Sequence, residues 1–313
     1  MNKRQKEIIA SQLKDEKEVI ARIKKLYEKA LKDIETKIKL LSMRPDFEQN
    51  LQSIVYQIDY QKALKKQINA ILDMMNTEQF TTISEYLTKC YEEGFMGTLY
   101  DLHGQGIPLI FPIAQDQVVK AIQHDTKLSE SLYERLGMDV GELKKAIQTE
   151  VSRGIASNLS WTDIARNLSA QSGITMNKAV RIARTEGHRI TQQATLDVQK
   201  KAKEKGAEIM RQWDSTLDKR TRPAHRELDG QLREMNEPFE YMGYTAMYPG
   251  GFGVAKLDIN CRCVLLQRAK WALTDEEFTK RYRDDEDGSQ LAHFESVDSY
   301  NEFKKTFFEK VGE

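Results

Sequence analysis

The sequence predicts a mainly α protein: a long N-terminal helical hairpin and a helical domain, followed by a small α+β module. Three observations carry this. Apolar residues recur at steps of three and four over much of residues 2–206. Charged residues make up 31% and aromatic residues 8%, the balance of long solvated helix faces and not of a compact all-β enzyme. After Gly206 the helical period disappears, and Gly, Pro and Asn become frequent.

Residues 2–42 place Ile9, Leu13, Ile20, Ile23, Tyr27, Ala30, Ile34, Ile38 and Leu41 on one seam, which Glu16 interrupts. A helix of about forty residues draws its stability from packing, so this one must lie along another. Pro45 ends it, because the residue before a proline is pushed out of helical geometry. A second run, from Leu51 to Met75, completes an antiparallel hairpin over residues 1–76, with an oligomeric coiled coil as the alternative. A helical domain over 77–206 then opens with a helix at 82–102 and passes through an apolar connector, G-Q-G-I-P-L-I-F-P, expected to be buried. Ser160 or Thr162 caps a further start, with Asp163 at the positive helix end. Gly173 punctuates, and Met176 begins a helix that Gly206 stops. The module covers 207–273, with strands at 207–213 and 259–266 and a turn at Gly230. An acidic helical tail fills 274–313, its helices at 274–283 and 297–311 flanking the run Asp284, Asp285, Glu286, Asp287.

Charge excludes little. The 48 basic and 48 acidic residues cancel, so global charge marks neither a nucleic-acid binder nor an acidic scaffold. Residues 1–70 lean basic, through Lys24, Lys25, Lys29, Lys32, Lys37, Lys39, Lys65 and Lys66, and a solvated helix face explains this as well as an anionic partner does. No run approaches the roughly twenty apolar residues of a membrane span, and the N-terminus lacks a signal-peptide core. A cytoplasmic site of synthesis is expected. Three cysteines make no disulfide framework, and a Cys261–Cys263 bridge would close a very tight ring.

The chemistry-bearing residues concentrate between Trp213 and Cys263, where W-D-S-T-L-D-K-R-T-R-P-A-H-R-E-L-D-G precedes P-G-G-F-G and D-I-N-C-R-C. Three readings of this stretch stand open. In the first, Cys261 and Cys263 lie on one face of a strand and share a metal with His225 and Asp218 or Asp214; zinc is the ion such ligands favour. In the second, Asp218, His225 and Asp229 supply acid–base chemistry while Arg220 or Arg222 holds a phosphate, as a metal-dependent nuclease or toxin-like enzyme would require. The stretch has no second histidine, no H-E-x-x-H, no P-loop and no nucleophile motif, so no catalytic residue is assigned. In the third, Asp–Arg pairs and small buried cysteines tie a module too small to hold itself by its core alone, with Trp213 at the centre.

Taken in order, I-A-R-T-E at 182–186, the tryptophan-led D-x-R-T-R-x-x-H-x-x-x-D-G segment and N-C-R-C resemble the phage head morphogenesis proteins, the minor head proteins of the Mu F type. Arg184, Thr185, Glu186, Trp213, Asp218, Arg220, Thr221, Arg222, His225, Asp229, Gly230, Cys261, Arg262 and Cys263 fall on the family pattern. The P-G-G-F-G turn departs from the P-G-D-P form expected there. The resemblance implies a minor structural protein of a tailed-phage head, acting in procapsid assembly at or near the portal vertex, and in DNA packaging or ejection. It implies a place in the head interior after assembly in the host cytoplasm. Its partners would be the portal protein, a scaffold or major capsid protein, and double-stranded DNA. The face formed by Arg181, Arg184 and His188 is the candidate contact with DNA or a partner.

Overall fold

A computed structural model of the chain describes residues 2–42, 54–123, 132–156, 161–270 and 298–311. Helix α1 spans Lys3–Ser42, and α2 spans Ile54–Gly104 without a break. The sequence suggests two helices where α2 is one. No Gly or Pro interrupts residues 76–81, Thr77 returns its hydroxyl to the Asp73 carbonyl at 3.1 Å, and Gln79 and Ile83 are fully buried. Burial on that face overrides the weak helix propensity of the threonines. Helices α3 (Gln115–Gln123), α4 (Leu132–Ala156) and α5 (Trp161–Glu204) follow. Gly173 likewise does not divide α5, because buried Leu168, Ser172, Thr175 and Ala179 hold the helix on both sides of it. The expected cap at Ser160, the proline stop at Pro45 and the helix at 274–283 lie outside the described residues.

The chain divides into two compact units, each built from separated stretches. One comprises Met1–Lys17, Glu85–Ser129 and Ala183–Glu313; the other comprises Glu18–Ser84 and Glu130–Ile182. Helices α1, α2 and α5 contribute residues to both.

The second unit is a helical assembly. Ile23, Tyr27, Ala30 and Ile34 bury one face of α1 at steps of three and four, as the apolar pattern requires, with Val19 buried in place of the expected Ile20. Ile68, Leu72 and Met75 of α2 and Val140, Leu143 and Ile147 of α4 are buried with them. Gln148 donates to Asn69 at 2.9 Å and Lys178 pairs with Asp139 at 2.9 Å, so α4 is tied to both α2 and α5.

In the first unit α1 runs antiparallel to α2. Gln5 donates to Asp101 at 3.0 Å, Ser11 to Glu93 at 3.2 Å, and Lys89 pairs with Asp15 at 2.7 Å. Here the seam differs from the apolar one expected: Gln5, Glu7, Ile8 and Ser11 are the buried residues, and Leu13 is exposed. Polar groups fit because each meets a partner, Glu7 accepting from Tyr100 at 2.8 Å. Helix α8, Asp298–Val311, stands where the sequence expects a final helix and buries Tyr300 and Phe307. Tyr300 packs 5.3 Å from the Tyr100 ring, and Lys304 pairs with buried Glu93 at 2.7 Å. Of the connector after α2 only Phe111 is buried among residues 104–112, against the expectation. Gly106 instead makes a left-handed helix cap, with φ +79° and a bond from the Ile107 N–H to the Leu102 carbonyl at 2.9 Å.

Gly206 stops α5 in the same way, at φ +90° with the Ala207 N–H donating to the Ala202 carbonyl at 3.0 Å. The module then begins. Strand β1 (Ile209–Asp214) is central in an antiparallel sheet of order β2–β1–β5, with β2 at Leu232–Arg233 and β5 at Val264–Ala269. Trp213 lies opposite Leu265 and Ile209 opposite Ala269. A second pair, β3 (Phe239–Tyr241) and β4 (Tyr244–Ala246), forms a separate hairpin. Two short helices complete it, α6 at Pro223–Leu228 and α7 at Ala255–Asp258. No helix among the described residues is long and apolar enough to cross a membrane.

Candidate functional site

Trp213 explains where the site sits. Its ring is fully buried, with Phe239 edge-on at 5.2 Å, Phe252 at 5.7 Å and His225 edge-on at 6.3 Å. Its indole N–H donates to the Ser215 hydroxyl at 3.1 Å, so the polar end of the ring is satisfied. Ser215 is itself fixed, its N–H donating to Asp229 at 2.7 Å and its hydroxyl lying 2.7 Å from the His225 carbonyl and 3.2 Å from Cys263 Sγ.

Pro223 at the first turn of α6 supplies the fixed φ that starts a helix, and α6 turns His225 inward. His225 Nε2 meets the Leu257 carbonyl at 3.0 Å. A carbonyl only accepts, so Nε2 carries a proton and Nδ1 faces the thiols. Nδ1 lies 2.9 Å from Cys263 Sγ and 3.6 Å from Cys261 Sγ. Both cysteines precede β5 and are not part of it, contrary to the strand expected from 259. Asn260, at φ +53°, and the bond from the Cys261 N–H to the Asp258 carbonyl at 3.1 Å turn the chain there. The turn converges the two thiols without the strand. Burial drives both thiols up. The Cys263 Sγ nonetheless stays well below the ordinary thiol value, because the neighbouring Cys261 thiol and the His225 imidazole favour its thiolate, while Cys261 is held well above.

Asp218 stands apart from this cluster, since the ligand atoms lying within 4.8 Å of one another are those of His225, Cys261 and Cys263. Its carboxylate takes both arms of the Arg262 guanidinium at 2.6 and 2.7 Å, and also the Arg220 N–H at 2.8 Å. The guanidinium holds the carboxyl far below the usual carboxylate range. Arg220 itself projects into solvent, its guanidinium 3.7 Å from Asp218. Arg222 donates to the Lys256 carbonyl at 2.7 Å. Gly230 turns the chain after Asp229 at φ +78°.

Helix α5 carries the module on one face. Thr185 accepts from the Asn260 N–H at 3.3 Å, Gln192 from the Leu265 N–H at 2.7 Å, and Gln199 donates to Gln267 at 3.1 Å. These three positions recur every seven residues, two helical turns, and so form one stripe. Glu186 pairs with Arg189 at 2.8 Å in the interior, and Arg184 pairs with Glu16 at 2.8 Å. Arg181 is exposed. His188 is half-buried on that face: its Nε2 is shielded with no hydrogen-bond partner, and burial and His225 hold its pKa down at about 4.

His188, His225, Cys261 and Cys263 open on a cavity of about 830 Å³. Ile9 and Leu13, which the α1 seam does not use, form part of its wall. Three contributors escape the sequence reading. Buried Arg211 donates to the Glu234 carbonyl at 2.8 Å and to the Met247 and Glu237 carbonyls, tying β1 to two loops. Buried Asp258 accepts the N–H groups of Phe252, Gly253 and Val254 at 3.2, 2.7 and 3.1 Å and so fixes the glycine-rich turn. Ser215 is the third. A carboxylate five residues after Gly253 is the one signal that points to the second.

Residues 145–266 match the family described as Phage Mu protein F like protein. The region is Mu F-like. The match takes in the α5 stripe and the module down to β5, the parts that the hydrogen bonds join. The chain is also similar to Minor head protein GP7 of Bacillus phage SPP1, 29% identical over 268 residues, covering 84% of this chain and 80% of that protein. It is 28% identical over 305 residues to the NAD(+)--arginine ADP-ribosyltransferase EFV of Enterococcus faecalis, covering 96% of this chain. The chain spans 60% of that transferase's length. No solved structure matches it.

Proposed function

We propose that this chain is a minor structural protein of a tailed-phage head, built into the head interior during assembly in the host cytoplasm. It acts at or near the portal vertex, touching the portal protein and a scaffold or major capsid protein. The observation that carries this reading is the Mu F-like match over 145–266, whose separated motifs prove to be one hydrogen-bonded unit. Similarity to a minor head protein over 80% of that protein's length supports it. The described residues also suit assembly, with long helices offering extended faces and the module held by ties. The basic lean of residues 1–70 adds double-stranded DNA as a contact during packaging or ejection, weakening steeply with salt. The test is co-expression with the portal protein of the same phage. Co-purification through size exclusion supports the reading. Two components that elute apart, combined with unchanged infectivity when the gene is deleted, overturn it.

Of the alternative readings, a toxin-like transferase is favoured by one observation, the similarity to the ADP-ribosyltransferase EFV. Turnover of NAD+ by the purified chain, lost on changing His225, would establish it in place of the first.

A further inference from the structure

We infer that Cys261, Cys263 and His225 bind one zinc ion, with the fourth coordination position facing the cavity. Zinc is most often held by thiolate sulfur and imidazole nitrogen in a tetrahedron, and two Cys with one His and an open position is an established donor set. The three ligand atoms lie within 4.8 Å of one another, and all three residues are buried. Zinc bonds of about 2.3 Å to sulfur and 2.0–2.1 Å to nitrogen place sulfur and nitrogen about 3.5 Å apart across a tetrahedron. Cys261 Sγ already stands 3.6 Å from Nδ1, while Cys263 Sγ, at 2.9 Å, must move outward by roughly half an ångström.

The surroundings are those of a ligating histidine. A metal-bound imidazole characteristically donates its other N–H to a carbonyl or carboxylate, which fixes the ring and points the free nitrogen at the ion. His225 does this through Nε2 to Leu257, and the Ser215 hydroxyl lies 3.2 Å from Cys263 Sγ. Among the described residues no fourth protein ligand joins the cluster, and Asp218 is committed to Arg262. Water or a small anion from the cavity takes that position. His188 lines the same cavity, but its Nε2 is shielded from it and takes no part in the ligand set. On binding, the protons held among Nδ1 and the two thiols leave to solvent as one metal–nitrogen and two metal–sulfur bonds form; no electron changes hands.

Elemental analysis of the purified full chain tests this, with refilling of the chelator-stripped protein. About one zinc per chain is expected. Cys261→Ser with Cys263→Ser should reduce it at least tenfold, whereas Cys90→Ser, Asp218→Asn and His188→Ala should keep it. Loss in His188→Ala or Asp218→Asn overturns the ligand set. Because the double variant can fail to fold, Co(II) is also added to the stripped wild-type chain. A thiolate charge-transfer band with intense tetrahedral d–d absorption, shifting when azide is added, supports the site and its open position. A Co(II) spectrum without thiolate bands overturns the site, as does stoichiometric protein that neither carries nor takes up zinc. A spectrum indifferent to azide overturns the open position. None of these readouts depends on the portal, so failure here leaves the head-protein reading standing.

Discussion

At the residue scale the module hangs on a few side chains that do several jobs at once. Trp213 fills the core and hydrogen-bonds Ser215, so Trp213→Ala should cost about 3–5 kcal/mol by chemical denaturation. Asp258→Ala should free the 249–253 turn, seen as fast amide exchange at Phe252 and Gly253 while β1 amides stay protected. Burial drives the Cys90 thiol up to about 12, so it should resist iodoacetamide at pH 8 in the native chain and react only on unfolding. His188 gives a pH dependence. Burial, with His225 adding to it, lowers its pKa from 6.5 to about 4, so the unfolded chain binds the extra proton between those values. The stability it contributes is complete above pH 6.5 and is lost as pH falls toward 4. Denaturant midpoints measured across that window should fall less steeply in His188→Gln than in the parent chain.

At the element scale the stripe Thr185, Gln192, Gln199 joins a helix motif to a cysteine motif more than seventy residues later: Thr185 and Asn260 touch. Gln192→Ala leaves the buried Leu265 N–H without its acceptor and should cost about 1–3 kcal/mol, with β5 amides losing protection first. The existence of α1, the end of α5 at Gly206 and the change of texture after it were legible, because helical period and a glycine stop are local signals. The continuity of α2 and α5 was not, since burial of Gln79 and Ile83, and of Leu168 and Ala179, comes from neighbours far along the chain. Nor was the α1 seam near its start, where Gln5, Glu7 and Ser11 are buried because Asp101, Tyr100 and Glu93 receive them. In the candidate site the residue types of the C-x-C and His225 cluster were legible. Its geometry was not, because a left-handed Asn260 and no strand brings the thiols round.

At the scale of the whole molecule, two compact units share three long helices, and the Mu F-like region, residues 145–266, has residues in both units. The most direct measurement of the chain's role is quantitative mass spectrometry of purified particles of the phage that encodes it. The account predicts the chain in heads at a few copies per portal, and its absence from isolated tails. Particles that lack it, at full infectivity and with the portal present, would contradict that prediction.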